Sequence, residues 1–455
     1  NAFITINSPI TTDKGLRIIG YYDQQDTVFI RGNGTSRIFN FDYDNRFHND
    51  ARRRIDMEQM AFTQITGEAI FFDGHSLVVL HSLFLNNTPS FGTIRIESDV
   101  HTDDLNLTVA ASIFENNQSR VPASKGGGIY ISWSNSGGQS NPQAFIDVSK
   151  STFHNNSIVD QGGAIYCSTG LGFQTEVNIE TSTFVDNRCS GSGSQGGAIY
   201  ATNRSNTGYV DCSISNATIL DNVAAAGRGV YYMPSNFFNS GSPRDHLTII
   251  SSIVALNGSS NIVSVNKLIQ NSGYNIFDNV NTNTLNTTFN TILNATAASL
   301  QLGPLSSTLG STPTRAPLLG SIAINYGNPN DQTDAQNGMV DLGRRDAGAA
   351  EYICTNFAYI RGRFCQGDTL LIGSNVITTA GVYSDTLVNA AGCDSISFYI
   401  LTTSAGSNGN DVQVSCGPFT WIDGTTYTNS VVGPSFTIVG GAANGKASLK
   451  TKQLT

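Results

Sequence analysis

The sequence predicts an all-β fold: a right-handed parallel β-helix with three strands per coil, followed by small β-sandwich-like modules. Three observations lead there. A strand unit ending in Asn recurs along the first two thirds of the chain. A glycine-led strand unit follows each middle copy of it. Only 13% of the 455 residues are charged, and Asn, Ser, Thr and 46 Gly stand in their place. Soluble globular domains usually carry about 25% charged residues, and this replacement favours turns and strands over surface helices.

The first unit reads Ser112-Ile113-Phe114-Glu115-Asn116-Asn117, then Ser151-Thr152-Phe153-His154-Asn155-Asn156, then Ser182-Thr183-Phe184-Val185-Asp186-Asn187. Looser copies begin at Ser82, Ala217 and Ser252. The second unit places Ile129-Tyr130, Ile165-Tyr166 and Ile199-Tyr200 behind paired glycines, with a degenerate copy at Val230-Tyr231. A third apolar stretch, such as Ala144–Val148 or Val177–Glu180, precedes each Phe unit. Within a strand, successive side chains face opposite ways. Phe114, Phe153 and Phe184 therefore face inward with Ile129, Ile165 and Ile199, while His154 and Tyr166 face outward. One such unit cannot bury its apolar face, but stacking copies about 4.8 Å apart closes the backbone ladder and puts Phe on Phe. Paired glycines permit the corner into the next sheet. Asn116, Asn155 and Asn187 suit a left-handed bend after the Phe strand and, in register, a ladder of side-chain amides.

The expected domains are 1–353 for the β-helix, 354–403 for a Cys-containing β-module and 404–455 for a second, degenerate copy. The net charge of −9 argues against a nucleic-acid partner, which needs clustered Lys and Arg. The one basic run, Arg52-Arg53-Arg54, lies beside Asp50 and Asp56 and reads as a solvated loop. No apolar run approaches the ~18–20 residues of a membrane-spanning helix. The seven cysteines form no C-x-x-C pair, which points to an oxidising compartment rather than to zinc.

These repeats resemble the β-helix region of bacterial polymorphic outer-membrane and autotransporter-like surface proteins. The stretches Ile18-Ile19-Gly20, Val28-Phe29-Ile30 and Arg37-Ile38-Phe39 are similar to that group's opening coils, Ser321–Gly327 to its final coil, and Asp346–Tyr352 to its closing signature. Beyond Tyr352, Cys365-Gln366-Gly367-Asp368 with Gly392-Cys393-Asp394-Ser395 resembles a Cys-containing module of large secreted Bacteroidota proteins, and Ser415-Cys416-Gly417 opens a second copy. That resemblance implies export by type IX secretion and a Cys365–Cys393 disulfide, with Cys354 and Cys416 as a further pair.

Many β-helices are polysaccharide lyases or hydrolases. Glycoside hydrolysis needs two carboxylates about 5–9.5 Å apart. Asp103-Asp104, the Asp42, Asp44 and Asp50 group, and Phe72-Asp73-Gly74-His75 are the only local echoes, and Asn takes the repeat positions where stacked Asp residues would sit. The six histidines are scattered without metal-ligand spacing. No residue is assigned a catalytic or cofactor role; Asp331, Asp334 and Asp341 form a weak calcium candidate, with solvated loop acids as the alternative. The expected function is a non-catalytic, secreted cell-surface structural or adhesive protein, with a filament subunit and a β-helix polysaccharide lyase or hydrolase as alternatives. Its expected partners are surface glycans or proteins, or further copies of itself. Tyr130, Tyr166 and Tyr200 offer an exposed aromatic stripe for such contacts, or else simply cover their sheet.

Overall fold

The computed structural model describes residues 2–11, 15–20, 28–33, 37–42, 54–98, 104–133, 142–170, 172–205, 208–234, 244–307, 310–331, 333–337, 344–352, 356–365, 369–388, 394–404, 407–438 and 448–454. The chain divides into two compact units, Asn1–Ile353 and Cys354–Thr455.

The first unit is a parallel β-helix. Among the described residues it contains three parallel sheets of 11, 9 and 9 strands, and the chain visits them in turn. The phenylalanine sheet holds Ile113–Glu115, Thr152–His154 and Thr183–Val185 in direct register. The tyrosine sheet holds Ile129–Trp133, Ile165–Thr169 and Ile199–Asn203. The third sheet holds Leu105–Ala110, Gln143–Ser149 and Gln174–Glu180. The register holds across connections of different length between strands.

Stacking turns each repeat position into a column. Phe62, Phe84, Phe114, Phe153 and Phe184 are fully buried, and consecutive rings lie 4.6–5.0 Å apart and nearly parallel. Ile129, Ile165 and Ile199 are buried across from them. The in-register backbone forces offset-stacked rings, a favourable aromatic geometry.

The coil turns at three kinds of corner. Asn86, Asn116, Asn155, Asp186, Asp221 and Leu256 follow the Phe strand with φ between 51° and 59°. Gly92, Gly126, Gly162, Gly196 and Gly227 precede the tyrosine strand with φ between 55° and 68°. The sequence reading did not anticipate the third corner, at His81, Ala111, Lys150, Thr181, Asn216 and Ser251, with φ between 46° and 50°. The Ala, Lys, Thr and Ser at this corner gain little from the left-handed region, which Asn216 and His81 adopt more readily. The column of serines just after them compensates: the backbone N–H of Ser82 donates to Ser112 Oγ at 3.1 Å, Ser112 to Ser151 at 3.2 Å and Ser151 to Ser182 at 3.1 Å.

The segment Ser321–Gly327 is not a final coil. The strand stack ends at Thr291–Ile292, and a single turn of helix, Ala297–Leu300, follows. The chain then doubles back along the outer face of the phenylalanine sheet. Thr312 Oγ1 donates to the carbonyl of Lys150 at 2.7 Å, and Gln336 Nε2 donates to Thr152 Oγ1 at 2.8 Å while Gln336 Oε1 accepts from Thr183 Oγ1 at 2.6 Å. The amide of Ala349 donates to Thr218 Oγ1 at 2.9 Å. A second apolar cluster lies beneath this arm, formed by Val185, Leu220, Ile253, Ala255, Ala323 and Ala347. The stretch Asp346–Tyr352 ties the arm down: Asp346 accepts from the amides of Asn325 and Tyr352, and Glu351 accepts from the amide of Asp346 and lies 3.6 Å from Arg345.

The second unit contains the same arrangement twice. Asp394–Ser404 pairs in parallel with Asn356–Cys365 and antiparallel with Gly381–Val388, next to the hairpin Leu370–Ile372 and Asn375–Ile377. Ser448–Leu454 pairs in parallel with Ser407–Gln413 and antiparallel with Val431–Ile438, next to Phe419–Thr420 and Thr426–Tyr427. Phe364, Ile372, Ile377 and Leu401 form the core of the first copy. In the second, buried Trp421 donates its indole N–H to Asp411 at 2.7 Å.

Candidate functional site

The repeat residues divide into packing and exterior roles. Asn117, Asn156 and Asn187, rather than Asn116 and Asn155, form the interior amide ladder with Asn87, Asn222 and Asn257. From Asn87 to Asn222, each Nδ2 donates to the Oδ1 one coil up at 2.9–3.0 Å, and the Nδ2 of Asn257 donates to the carbonyl of Ile219. Asn116 and Asn155 occupy the left-handed corner, with Asn155 Nδ2 donating to Asn116 Oδ1 at 2.6 Å. Both tasks expected of the asparagines exist, but adjacent residues perform them. Asn187 aligns with the ladder because Asp186 takes its corner.

The tyrosine stripe forms but is not open. Tyr130, Tyr166, Tyr200 and Tyr231 stack with centroids 5.0–5.5 Å apart on the outer face of their sheet, and all are buried. Lys125 Nζ lies 4.9 Å from the Tyr166 ring centroid, and Arg204 donates to Tyr166 Oη at 2.6 Å. Facing away from the coil interior did not mean facing solvent, because loop residues cover the row. Burial pushes the hydroxyls of Tyr166 and Tyr200 above the ordinary tyrosine range. A nitrating reagent should therefore modify Tyr359, which is 71% exposed, while sparing Tyr166 and Tyr200. Peptide mapping showing Tyr166 nitrated as fast as Tyr359 would restore the open stripe.

His154 faces outward as expected. Its Nδ1 lies 3.1 Å from Glu115 Oε1, and its Nε2 lies 3.7 Å from Asp186 Oδ2. The hydrogen bond with Glu115 raises the His154 pKa and lowers that of Glu115. The sign follows from each shift. The histidine contribution is complete below the unfolded value, about 6.5, and fades as pH rises through the higher folded value. The Glu115 contribution is complete above its unfolded value of 4.5 and fades as pH falls through the lower folded one. An NMR titration should place the His154 midpoint above that of a free histidine, and Glu115→Gln should bring it down. An unchanged midpoint in Glu115→Gln would remove the pair as the cause.

Two of the three calcium candidates have protein partners of their own. Asp331 accepts from Asn216 Nδ2 at 2.5 Å and from the amide and hydroxyl of Thr333 at 2.9 and 2.8 Å. Burial alone would raise its pKa, but these hydrogen bonds outweigh burial and lower it. Asp334 faces Lys150 at 3.6 Å, and Asp341 lies outside the described residues. Among the described residues there is no group of three or more His, Cys, Asp or Glu that could hold a metal ion. Asp104, from the acidic candidates, accepts the amide of Gln143 at 2.8 Å.

Cys167, Cys189 and Cys212 are buried free thiols, with pKa values raised by loss of solvent. Burial favours the protonated, unreactive form. Cys416 is a free, exposed thiol, and its expected partner Cys354 lies outside the described residues. The Cys365–Cys393 pair lies outside the described residues, since only the backbone of Cys365 is described.

An open groove of about 940 Å³ lies on the outer face of the N-terminal coils of the tyrosine sheet. Its walls include Arg37, Asn40, Glu68, Phe91, Arg95 and Arg120. Glu68 is buried, with Arg95 Nη1 3.0 Å from one carboxylate oxygen and Arg37 Nε 3.5 Å from the other. Arg95 also pairs with Glu97, and the Arg37 guanidinium lies 3.9 Å over the Phe71 ring. The tyrosine row runs into this cluster, because Tyr130 pairs with Arg95 and Arg95 with Phe71. The sequence reading missed it. The signal was the replacement of the tyrosine column's usual occupant by Arg95.

Among known families, residues 111–132 and 150–168 match the model described as the Chlamydia polymorphic membrane protein repeat. No curated protein and no solved structure matches. Each matched segment starts at a serine-side corner, Ala111 or Lys150, and ends within a tyrosine-sheet strand. The repeat is therefore the part of the coil that builds the Phe column, the amide ladder and the glycine corner. The first unit is a parallel β-helix, and two of its successive coils match that repeat. Among the described residues, no helix is long and apolar enough to cross a membrane.

Proposed function

We propose that this chain is a surface-exposed, adhesin-like bacterial protein whose β-helix is a non-catalytic scaffold. The observation that carries the reading is the coincidence of the polymorphic membrane protein repeat with the structural coil unit. The recurring residues are used in packing and corners: Phe in the core, Asn in the ladder, Tyr beneath loops. With 11 strands in one sheet, the described stack rises about 48 Å at ~4.8 Å per coil, a long side wall for contacts with glycans or proteins. Repeat scaffolds use such extended surfaces for binding. Antibody labelling of intact, unpermeabilised cells tests the placement. The expected result is label without permeabilisation and reduced attachment of cells lacking the protein. Label only after permeabilisation would overturn the reading.

A further inference from the structure

The geometry points to the N-terminal groove as a binding site for an anionic, hydroxyl-rich ligand: an acidic oligosaccharide held by Arg120 and the Arg37–Glu68–Arg95 cradle. This deepens the surface reading and rests on it only for access to extracellular polymers.

Charge is the first argument. The chain carries a net −9, yet the described groove lining holds Arg37, Arg95 and Arg120 against Glu68, with Glu97 beside it paired to Arg95, and so keeps a cationic excess. A cationic cleft in an acidic protein concentrates anions locally. The second argument is preorganisation. Buried Glu68 fixes two guanidiniums, and Phe71 stacks beneath one of them, so their donors are oriented before any ligand arrives. Arg120 is exposed on the rim and, among the described residues, forms no ion pair or hydrogen bond, leaving its planar fork free for a carboxylate or sulfate.

The remaining lining favours a sugar over a peptide. Asn40, Thr88, Ser90, Gln118 and Ser119 offer hydroxyl and amide groups, and Phe91 offers a ring against which the C–H face of a pyranose can rest. A peptide binding by strand addition needs an unpaired sheet edge. The floor strands Glu68–Asp73 and Ile94–Ser98 are already paired on both sides.

The test is calorimetric titration of the full chain with a tetrameric oligogalacturonate, its methyl ester, a heparin-derived tetrasaccharide and poly-glutamate. Saturable binding of either anionic sugar, weakened by salt and absent for the ester, is expected. Preference between the two sugars tells carboxylate from sulfate. Arg120→Gln should weaken binding about tenfold or more with an unchanged melting midpoint, since the side chain is exposed. Equal binding of the ester or of poly-glutamate, no effect of Arg120→Gln, or no saturable binding of either sugar would overturn the assignment. Surface labelling of cells is independent of the groove, so a failed titration with positive labelling removes the site and leaves the surface reading intact.

Discussion

Gly163→Ala is expected to unfold the coil around it, at a cost of more than about 3 kcal/mol, or to prevent folding of the β-helix altogether. Gly163 follows the left-handed corner at Gly162 and lies one coil below Gly197. An added Cβ would collide with the carbonyl oxygen of Gly197 and stand 2.9 Å from the amide nitrogen of Arg188. Both are backbone atoms, so no side-chain rotation relieves the clash. Moving them would break the bonds that carry one coil to the next, including the 2.9 Å hydrogen bond from the Gly163 amide to the Gly196 carbonyl. Gly193→Ala is the matched control. It has nothing within 4 Å of its added Cβ and should change stability by no more than about 0.5 kcal/mol. Urea denaturation of both variants separates the explanations. If the two variants prove equally stable, the close approach between coils does not constrain Gly163.

The glycine result also shows what the sequence made legible. A period carrying Phe, then Asn, then Gly-Gly-x-Ile is readable because stacking demands the same side chain at the same place in every coil. Inward positions were therefore assignable from alternation alone: Phe153 and Ile165 are buried. Outward positions were harder, since alternation tells only which way a side chain leaves the sheet. Tyr166 and His154 both leave outward, yet loop residues bury the first and the second stays half-exposed.

A better signal was present in the columns. The position after Phe runs Glu115, His154, Val185, Leu220, Ala255. It changes from polar to apolar where the return arm covers the sheet, and reading down the column locates the covered coils. The arm itself, with no strand among its described residues and no period, left no such pattern. Gln336 and Thr312 are ordinary polar residues whose partners on the phenylalanine sheet lie more than a hundred positions away. The groove was illegible for a related reason: Arg37, Glu68 and Arg95 come from three successive coils and meet only after stacking.

The amide ladder gives the second large effect. Asn156→Leu should cost about 3–5 kcal/mol, more than a typical buried hydrogen bond, because one side chain serves both neighbouring coils. Its Nδ2 donates to Asn187 Oδ1 and to the carbonyl of Phe114, both at 2.9 Å. Its Oδ1 accepts from Asn117 Nδ2 at 2.9 Å and from the Asn117 amide at 3.1 Å. Leucine approximates the volume but leaves the Asn117 amide and Nδ2 without their acceptor and the Phe114 carbonyl without this donor in a buried interior, while Asn187 Oδ1 keeps only the Asn156 backbone amide at 3.1 Å. Each orphaned group costs about 1–3 kcal/mol before relaxation. Asn155→Leu, one residue earlier, would lose the corner preference and one side-chain bond to Asn116, and should cost clearly less. Hydrogen exchange gives the finer readout. In Asn156→Leu, protection should fall first at the amides of Asn117 and Asn156, with the strands at Leu83–Leu85 and Ile253–Ala255 protected longer, as expected when each coil touches only its neighbours. A loss of protection that is uniform along the stack would show that the ladder acts through global cooperativity instead. An Asn156→Leu variant as stable as the parent would mean that the Phe column alone holds the coils in register.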